Sequence, residues 1–476
     1  MWIGHDDAKV VSTPAPGSMA EAQGPRRPRR KRTIDRPRLS SFEALRRING
    51  EGGYANLVTA EVIAGLDARD AGFVTELVHG TCRRQGSYDM IIERAAGRTL
   101  NSLQPAVVDV LRLACHQLFV MRVPMHAAVA ASVDLAGVAI GERVTGVVNA
   151  ILRKLAASSW DEWLAELTVG LPERASLAIR HAHPQWIVEA FATALASDDA
   201  ELATLLEADN EPPVPMLAVR PGLADVAELT AGGAEPARWS PWAASRPGNP
   251  GDLPAVRQGR AGVQDEGSQL VVKAATGAGL PEGPWLDLCA GPGGKSALLR
   301  GLAPGLLVSA EVQPHRAELI GRALRAYPQT GTDGRAHQVV VADGRFPAWQ
   351  AGAFGLVLAD VPCTGLGSLR RRPESRWRRD PAALGQLVEL QTALLASAID
   401  STQPGGLVAY ITCSPHRAET VDVIAEARGV QLLDAPALLP EVPAAASRLN
   451  PRCLQLWPHV HGTDAMFCAL LRRHGG

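Results

Sequence analysis

Two hydrophobic rhythms divide the chain. From Leu39 to about Trp163, apolar residues recur at helical spacing: Phe42, Leu45 and Ile48, then Val107, Val110, Leu111, Ala114 and Leu118, then Val144, Val147, Val148, Ile151, Leu152 and Leu155. Stripes of this kind need partners to bury them, so the segment reads as a helical bundle, with Ser41 as the expected cap of its first helix. Helical spacing continues through 165–210, with Trp186, Val188 and Phe191 as core positions, until Glu211-Pro212-Pro213-Val214-Pro215 breaks it. A strand-like Met216–Arg220 follows, and then a stretch rich in Ala, Gly and Pro. From 283 the rhythm changes: short apolar runs alternate with helical segments. The runs are Trp285–Cys289, Leu306–Glu311, Val339–Ala342, Leu356–Asp360, Leu407–Thr412 and Met466–Leu471. This predicts an α/β domain with a mostly parallel sheet, helices on both faces, and the last run as an antiparallel edge strand. The expected organisation is a disordered basic tail (1–37), a helical domain (38–165), a helical linker (166–210), a small subdomain (211–282) and the α/β domain (283–476).

Composition narrows the function. The 476 residues carry a formal net charge of −1, so any nucleic-acid surface must be local. The run Arg26, Arg27, Arg29, Arg30, Lys31, Arg32 is either an arm that tracks nucleic acid or a solubilising tail. Cysteines 82, 115, 289, 363, 413, 453 and 468 are scattered and form no C-x-x-C, which argues against a metal site or a disulfide framework and for reduced thiols in a cytoplasmic protein. No secretory signal and no apolar run of membrane-spanning length is expected.

Candidate chemistry sits where open α/β sheets bind ligands, at the carboxyl ends of strands. Cys289-Ala290-Gly291-Pro292-Gly293-Gly294-Lys295 follows the first run of the α/β half. Glycines there let backbone approach a ligand, and a helix starting near Lys295 offers free N–H groups to a carboxylate. Glu311 ends the next strand, about twenty residues on, where an acid takes both ribose hydroxyls. Asp343 ends the third and is placed to accept from an adenine amino group. S-adenosylmethionine and NAD fit these three equally well. Asp360-Val361-Pro362-Cys363 and Thr412-Cys413-Ser414-Pro415, ending the fourth and fifth strands, have no role in hydride transfer. They do fit 5-methylation of cytosine: a thiolate added to carbon 6 makes carbon 5 nucleophilic. Asp360 is the candidate carboxyl facing N3 and the amino group of the base.

These motifs, with Val263-Gln264-Asp265-Glu266-Gly267-Ser268-Gln269, Tyr410-Ile411-Thr412-Cys413-Ser414 and Asp464-Ala465-Met466-Phe467, resemble the RNA 5-methylcytosine methyltransferase family. Phe73–Gly80, Arg122–Val129 and Gly146–Lys154 resemble the NusB-like RNA-binding domain. Together, from about residue 38, the chain is similar to 16S rRNA methyltransferases of the RsmB (Sun, Fmu) type. The resemblance implies a Rossmann-like class I methyltransferase domain preceded by an all-α NusB-like domain, with S-adenosyl-L-methionine as cofactor. It implies 16S rRNA as partner, with cytosine 967 as the family's usual target. It assigns Cys413 as nucleophile and Cys363 to product release, with the cofactor held by Cys289 through Lys295, Glu311, Asp343 and Asp360. Departures are small: Gly291 replaces an alanine, Val361 and Thr364 replace alanine and serine, and Glu311 stands where Asp is commoner.

Immediately after Cys363 come Arg370, Arg371, Arg372, Arg376, Arg378 and Arg379, with Trp377 among them. Arginine pairs with phosphate and stacks on bases, so this loop is the expected RNA contact. The expectation is a monomeric RNA enzyme without metal or membrane. The same chemistry on tRNA or another rRNA, and a non-catalytic ribosome-assembly factor, are the alternatives.

Overall fold

The computed structural model describes residues 32–332 and 334–475, so the expected basic tail lies almost wholly outside the described residues. The first helix, α1 (Arg36–Glu51), begins earlier than the pattern suggests. Asp35 caps it by accepting from Arg38 N at 2.9 Å, and Pro37 occupies the first turn, where its missing N–H costs nothing. Ser41 is one turn inside and donates to Pro37 O. Helices α2 (Ala55–Val62), α3 (Ala68–Ala96), α4 (Pro105–Phe119), α5 (Met125–Ala139), α6 (Thr145–Leu155) and α7 (Trp160–Thr168) complete the bundle. Its core includes Leu45, Ile48, Val110, Leu111, Ala114, Val148, Ile151, Leu152 and Leu155, the stripes read from spacing.

Helices α8 (Glu173–Arg180), α9 (Gln185–Leu195) and α10 (Asp199–Ala208) are more than a connector. Ile187, Val188, Phe191, Leu202, Leu205 and Leu206 share a core with Leu366, Leu369, Trp457 and Ala465 of the C-terminal domain. A small antiparallel sheet follows, ordered β2-β3-β1-β4, from β1 (Met216–Val219), β2 (Glu235–Pro236), β3 (Ala243–Ser245) and β4 (Ala261–Val263), with α11 (Val226–Ala231) and α12 (Pro254–Arg257). Helix α13 (Glu266–Thr276) leads from it into the main sheet.

That sheet has eight strands: β5 (Trp285–Asp287), β6 (Leu306–Glu311), β7 (Ala336–Val341), β8 (Phe354–Asp360), β9 (Thr402–Thr412), β10 (Val430–Leu432), β11 (Leu454–Gln455) and β12 (Phe467–Arg473). Strands β9, β8, β5, β6 and β7 run parallel in that order, and β12 pairs antiparallel with β9. The short β10, unseen in the sequence pattern, lies outside β12, so the last strand is not the edge. Side chains alternate between faces. Leu356, Leu358, Leu407, Ala409 and Ile411 pack towards α13 and α14 (Gly294–Leu302). Val357, Ala359, Val408 and Tyr410 pack with Leu394, Leu395, Ala398 and Ile399 of the opposite face. The remaining helices named here are α15 (Pro314–Leu324), α16 (Ser375–Arg378) and α17 (Leu384–Ser401). The segment Pro381–Ser401 is long and apolar enough by composition to cross a membrane, contrary to the sequence expectation. Its last turns lie against the sheet.

Candidate active site

Parallel pairing puts the carboxyl ends of β5 to β9 along one side of the sheet, and the candidate residues stand there. The β5–α14 loop holds Cys289 to Lys295. Gly293 adopts φ +104° as the N-cap of α14, and a Cβ on it would sit 2.8 Å from Ile320 Cα, so only glycine fits. No side chain caps α14, which leaves its first N–H groups available to a ligand. Beneath the loop Asp287 is buried and accepts from Ser296 Oγ at 2.6 Å, and burial pushes its carboxyl up to about 7.

Glu311 is buried at the end of β6. Its oxygens accept from Gly291 N at 3.2 Å and Gln313 N at 3.0 Å, and each keeps a further lone pair. A Cβ on Gly291 would lie 2.2 Å from Glu311 Oε2, so the longer acid and the smaller loop residue accommodate each other. Asp343 stands just past β7, but its carboxylate is already held by Arg345, Nη2 to Oδ2 at 2.6 Å, and that bond holds it below the usual carboxylate range. Two exposed apolar residues, Val312 and Phe346, adjoin these acids. An apolar residue in water next to a strand-end acid was the available signal for them. Gln264, at the end of the small sheet, is buried with its Oε1 unpartnered, and its amide reaches the Gly293–Gly294 turn.

This set fits a nucleoside carrying an amino-acid tail. Glu311 suits the ribose, Val312 and Phe346 the base, the α14 N-terminus a carboxylate, and Gln264 Oε1 an ammonium.

Beyond β8 and β9 the two candidate thiols meet. Asp360 pairs with Ile411 across the strands, and the Sγ atoms of Cys363 and Cys413, both half-buried, are 3.4 Å apart. The hydrogen bond from Cys363 holds the Cys413 thiol below its ordinary value, and Lys295 adds to that effect against burial. Cys363 is pushed well above its ordinary value by the same bond, by burial and by Glu419. The asymmetry comes first from the bond between the two sulfurs; at Cys413 the Lys295 ammonium works against burial and the carboxylates of Asp360 and Asp464, whereas at Cys363 burial and Glu419 both push upward. Lys295 Nζ lies 2.6 Å from Asp360 Oδ2. Burial pulls the ammonium down, but Asp360 more than offsets that and keeps it charged. Cys289, by contrast, is driven up by burial and by the acids around it and stays a thiol.

The arginine loop has a different setting from the exposed one expected. Arg376 is fully buried and donates to Arg83 O and Ala182 O, both at 3.1 Å, to Asn210 Oδ1 at 2.8 Å and to Asp209 O at 3.2 Å. Trp377 Nε1 donates to Cys82 O, and Arg378 to Gly52 O and Gly53 O. Arg370 is buried and donates to Gly462 O at 2.7 Å. Arg371 forms a bidentate pair with buried Asp464, whose N–H is taken by Asp265 Oδ1 at 3.0 Å. The loop therefore straps the C-terminal domain to the helical one, because carbonyls past the ends of α1, α8 and α10 need donors and guanidinium supplies several, while the mid-helix carbonyls of Cys82 and Arg83 each take a further bond. Arg372, over the Tyr54 ring at 5.8 Å, and Arg379 are exposed. Arg32, from the basic run, pairs with Asp134 and Glu142. Among the described residues no cluster suited to a metal ion occurs.

Comparison with known proteins agrees with this layout. Residues 279–472 match the family model described as 16S rRNA methyltransferase RsmB/F, and residues 35–157 match the NusB family. A Mycobacterium tuberculosis (H37Rv) protein whose name assigns it only to the methyltransferases is 45% identical over 466 residues, 95% of this chain and 99% of that one. The ribosomal RNA small subunit methyltransferase B of Sodalis glossinidius is 29% identical, over 79% of this chain and 85% of its own length. Among solved structures, one titled PH0851 superposes with a TM-score of 0.75 at 22% identity, covering 93% of this chain and 99% of that one. NSun6 from Pyrococcus horikoshii, solved with SFG, gives a TM-score of 0.51 at 16% identity, over 62% of this chain and 100% of that one. These two likenesses speak for the fold. The chain belongs to the RsmB/F family of 16S rRNA methyltransferases, with a NusB-family domain ahead of its catalytic domain.

Proposed function

We propose that this RNA methyltransferase places a methyl group on carbon 5 of a cytosine, most naturally in 16S rRNA, through a covalent bond between Cys413 and the base. The observation that carries the reading is the pair of strand-end thiols 3.4 Å apart, with charged Lys295 on the Cys413 side. S-adenosylmethionine, when bound, supplies an electrophilic methyl group. Cys289 to Lys295, Glu311, Asp343, Asp360 and Gln264 are the residues that would hold it. Cys413 adds as its thiolate to carbon 6, and the electron pair of the 5,6 double bond becomes available at carbon 5. Asp360 accepts from the amino group of the base. After carbon 5 has gained its methyl, transfer of the carbon 5 proton to solvent water restores the double bond and returns the carbon–sulfur electron pair to Cys413. Cys363, which stays protonated at the outset, serves this release. The base must leave its stack to reach the thiols, and exposed Arg372 and Arg379 stand on the loop beside them.

Cys413→Ala is expected to abolish methyl incorporation into RNA. Cys363→Ala is expected to accumulate an RNA–protein adduct that survives denaturing electrophoresis. Full activity in Cys413→Ala sinks the assignment. Bisulfite mapping of rRNA and tRNA from a deletion strain identifies the target. Loss of one 16S rRNA 5-methylcytosine is expected, loss of a tRNA site would move the substrate, and no change anywhere would remove the enzymatic reading.

A further inference from the structure

The two cysteines sit in separate turns, and the strand ladder ends before either is reached. Gly367 N donates to Cys413 O at 2.8 Å, and the turn that carries Cys363 itself is held by a carboxylate with no part in the chemistry above. Glu419 is fully buried. Its Oε1 accepts from Thr364 N at 2.7 Å and from Gln391 Nε2 at 3.0 Å, and its Oε2 accepts from Thr364 Oγ1. Gln391 Nε2 also donates to Pro362 O at 2.9 Å. The residues on either side of Cys363 are thus both held by one carboxylate and amide. Because the Thr364 hydroxyl hydrogen goes to Glu419, the 3.0 Å contact between Thr364 Oγ1 and Ser414 Oγ is a bond donated by Ser414, the residue after Cys413. Ser414 Oγ in turn accepts from His416 N, and Tyr410 donates to the Glu419 carbonyl. A buried carboxylate is tolerated only when donors fill it, and three do so here. All three hold the Cys363 side, while the carboxylate reaches the Cys413 side only through Thr364 and the Glu419 carbonyl touches its strand only through Tyr410.

We propose that Glu419 is a positioning residue for the second half of the reaction, setting the turn that carries Cys363 and hence release of the methylated base. The proposal rests on the roles of Cys413 and Cys363 argued above. Replacing one acceptor oxygen by an amide that donates leaves Thr364 without its partner and frees the turn, while Cys413 keeps Lys295 beside it.

The test uses the full chain, a 16S rRNA transcript and methyl-labelled S-adenosylmethionine. In Glu419→Gln, single-turnover methyl transfer, measured above the Cys413 midpoint so that a weakened Cys363 bond leaves its thiolate fraction unchanged, stays within about twofold of the native rate, whereas release slows by about tenfold or more. Denaturant-resistant adduct then accumulates, as in Cys363→Ala but partially. A merely structural role would slow both steps together. If Cys363→Ala accumulates adduct and Glu419→Gln does not, or if Glu419→Gln slows both steps equally, the proposal falls and the assignment of the thiols stands. If Cys363→Ala accumulates none, the assignment falls and takes this proposal with it. Should Glu419→Gln fail to fold, Thr364→Val, which removes the hydroxyl joining the two turns, carries the same expectation and the same overturning result.

Discussion

Cys413 and Cys363 are chemically the same group, and their neighbours make them different. The two share one hydrogen bond, which pulls Cys413 down and pushes Cys363 up, and Lys295 acts on the first while Glu419 acts on the second. The thiolate fraction of Cys413 rises with pH through a midpoint below the ordinary thiol value of 9.0. Removing Cys363 removes the bond that depresses it. The pH–rate profile for adduct formation, measured by rapid quench, is therefore expected to have its midpoint below 9.0 in the native protein and to move upward in Cys363→Ala. The identities of these residues were legible in the sequence because strand-end position and turn chemistry are local. Their partners were not. That Lys295 takes Asp360 and that Glu419 holds the Cys363 turn are pairings made across the fold, between residues whose separation along the chain carries no signal.

Among elements, the strap from Leu366 to Arg379 departs furthest from its reading. Clustered arginines beside an active site are read as RNA contacts because the sequence shows charge and hides destination. The ends of α8 and α10 offer the carbonyls of Ala182 and Asp209, the middle of α3 offers that of Arg83, and Arg376 meets all three. Loss of a fully buried, multiply bonded guanidinium costs about 3–5 kcal/mol. Arg376→Ala is expected to lower stability by that order in denaturant titration, and Arg376→Lys to recover little, since an ammonium cannot reach four acceptors in one plane. A Cβ on Gly86 would lie 2.3 Å from the Trp377 ring, so Gly86→Val is expected to unseat the strap without touching it chemically, with faster proteolysis between 211 and 215 as the readout. The helices and parallel strands themselves were readable from periodicity. The strands β2, β3, β4, β10 and β11, two or three residues each, escaped, being too short to show a period.

Taken whole, the molecule is two bodies joined over a polar seam. Neither oxygen of Asp209 has a hydrogen-bond partner, nor does His183 Nε2, 3.7 Å from Oδ2. Burial pushes the Asp209 carboxyl up to about 7 against the pull of Arg376. An unfolded chain gives up that proton near 3.8, so between there and about 7 the folded state holds a proton the unfolded state has lost, and stability falls as pH rises. His183, held neutral by burial, acts oppositely and costs stability below its ordinary 6.5. Asp209→Asn is expected to leave the unfolding midpoint little changed at about pH 3, below the unfolded value, and to raise it above native at pH 8. The seam also has a place in time. The carbonyls of Ile48, Cys82, Arg83, Ala182 and Asp209 leave the ribosome well before the side chains of Arg376, Trp377 and Arg378 that fill them. At roughly 5–20 residues per second, that interval is on the order of ten seconds. For that long the helical half stands with an empty socket, and the thiol-bearing turn is synthesised only moments before the segment that seats it.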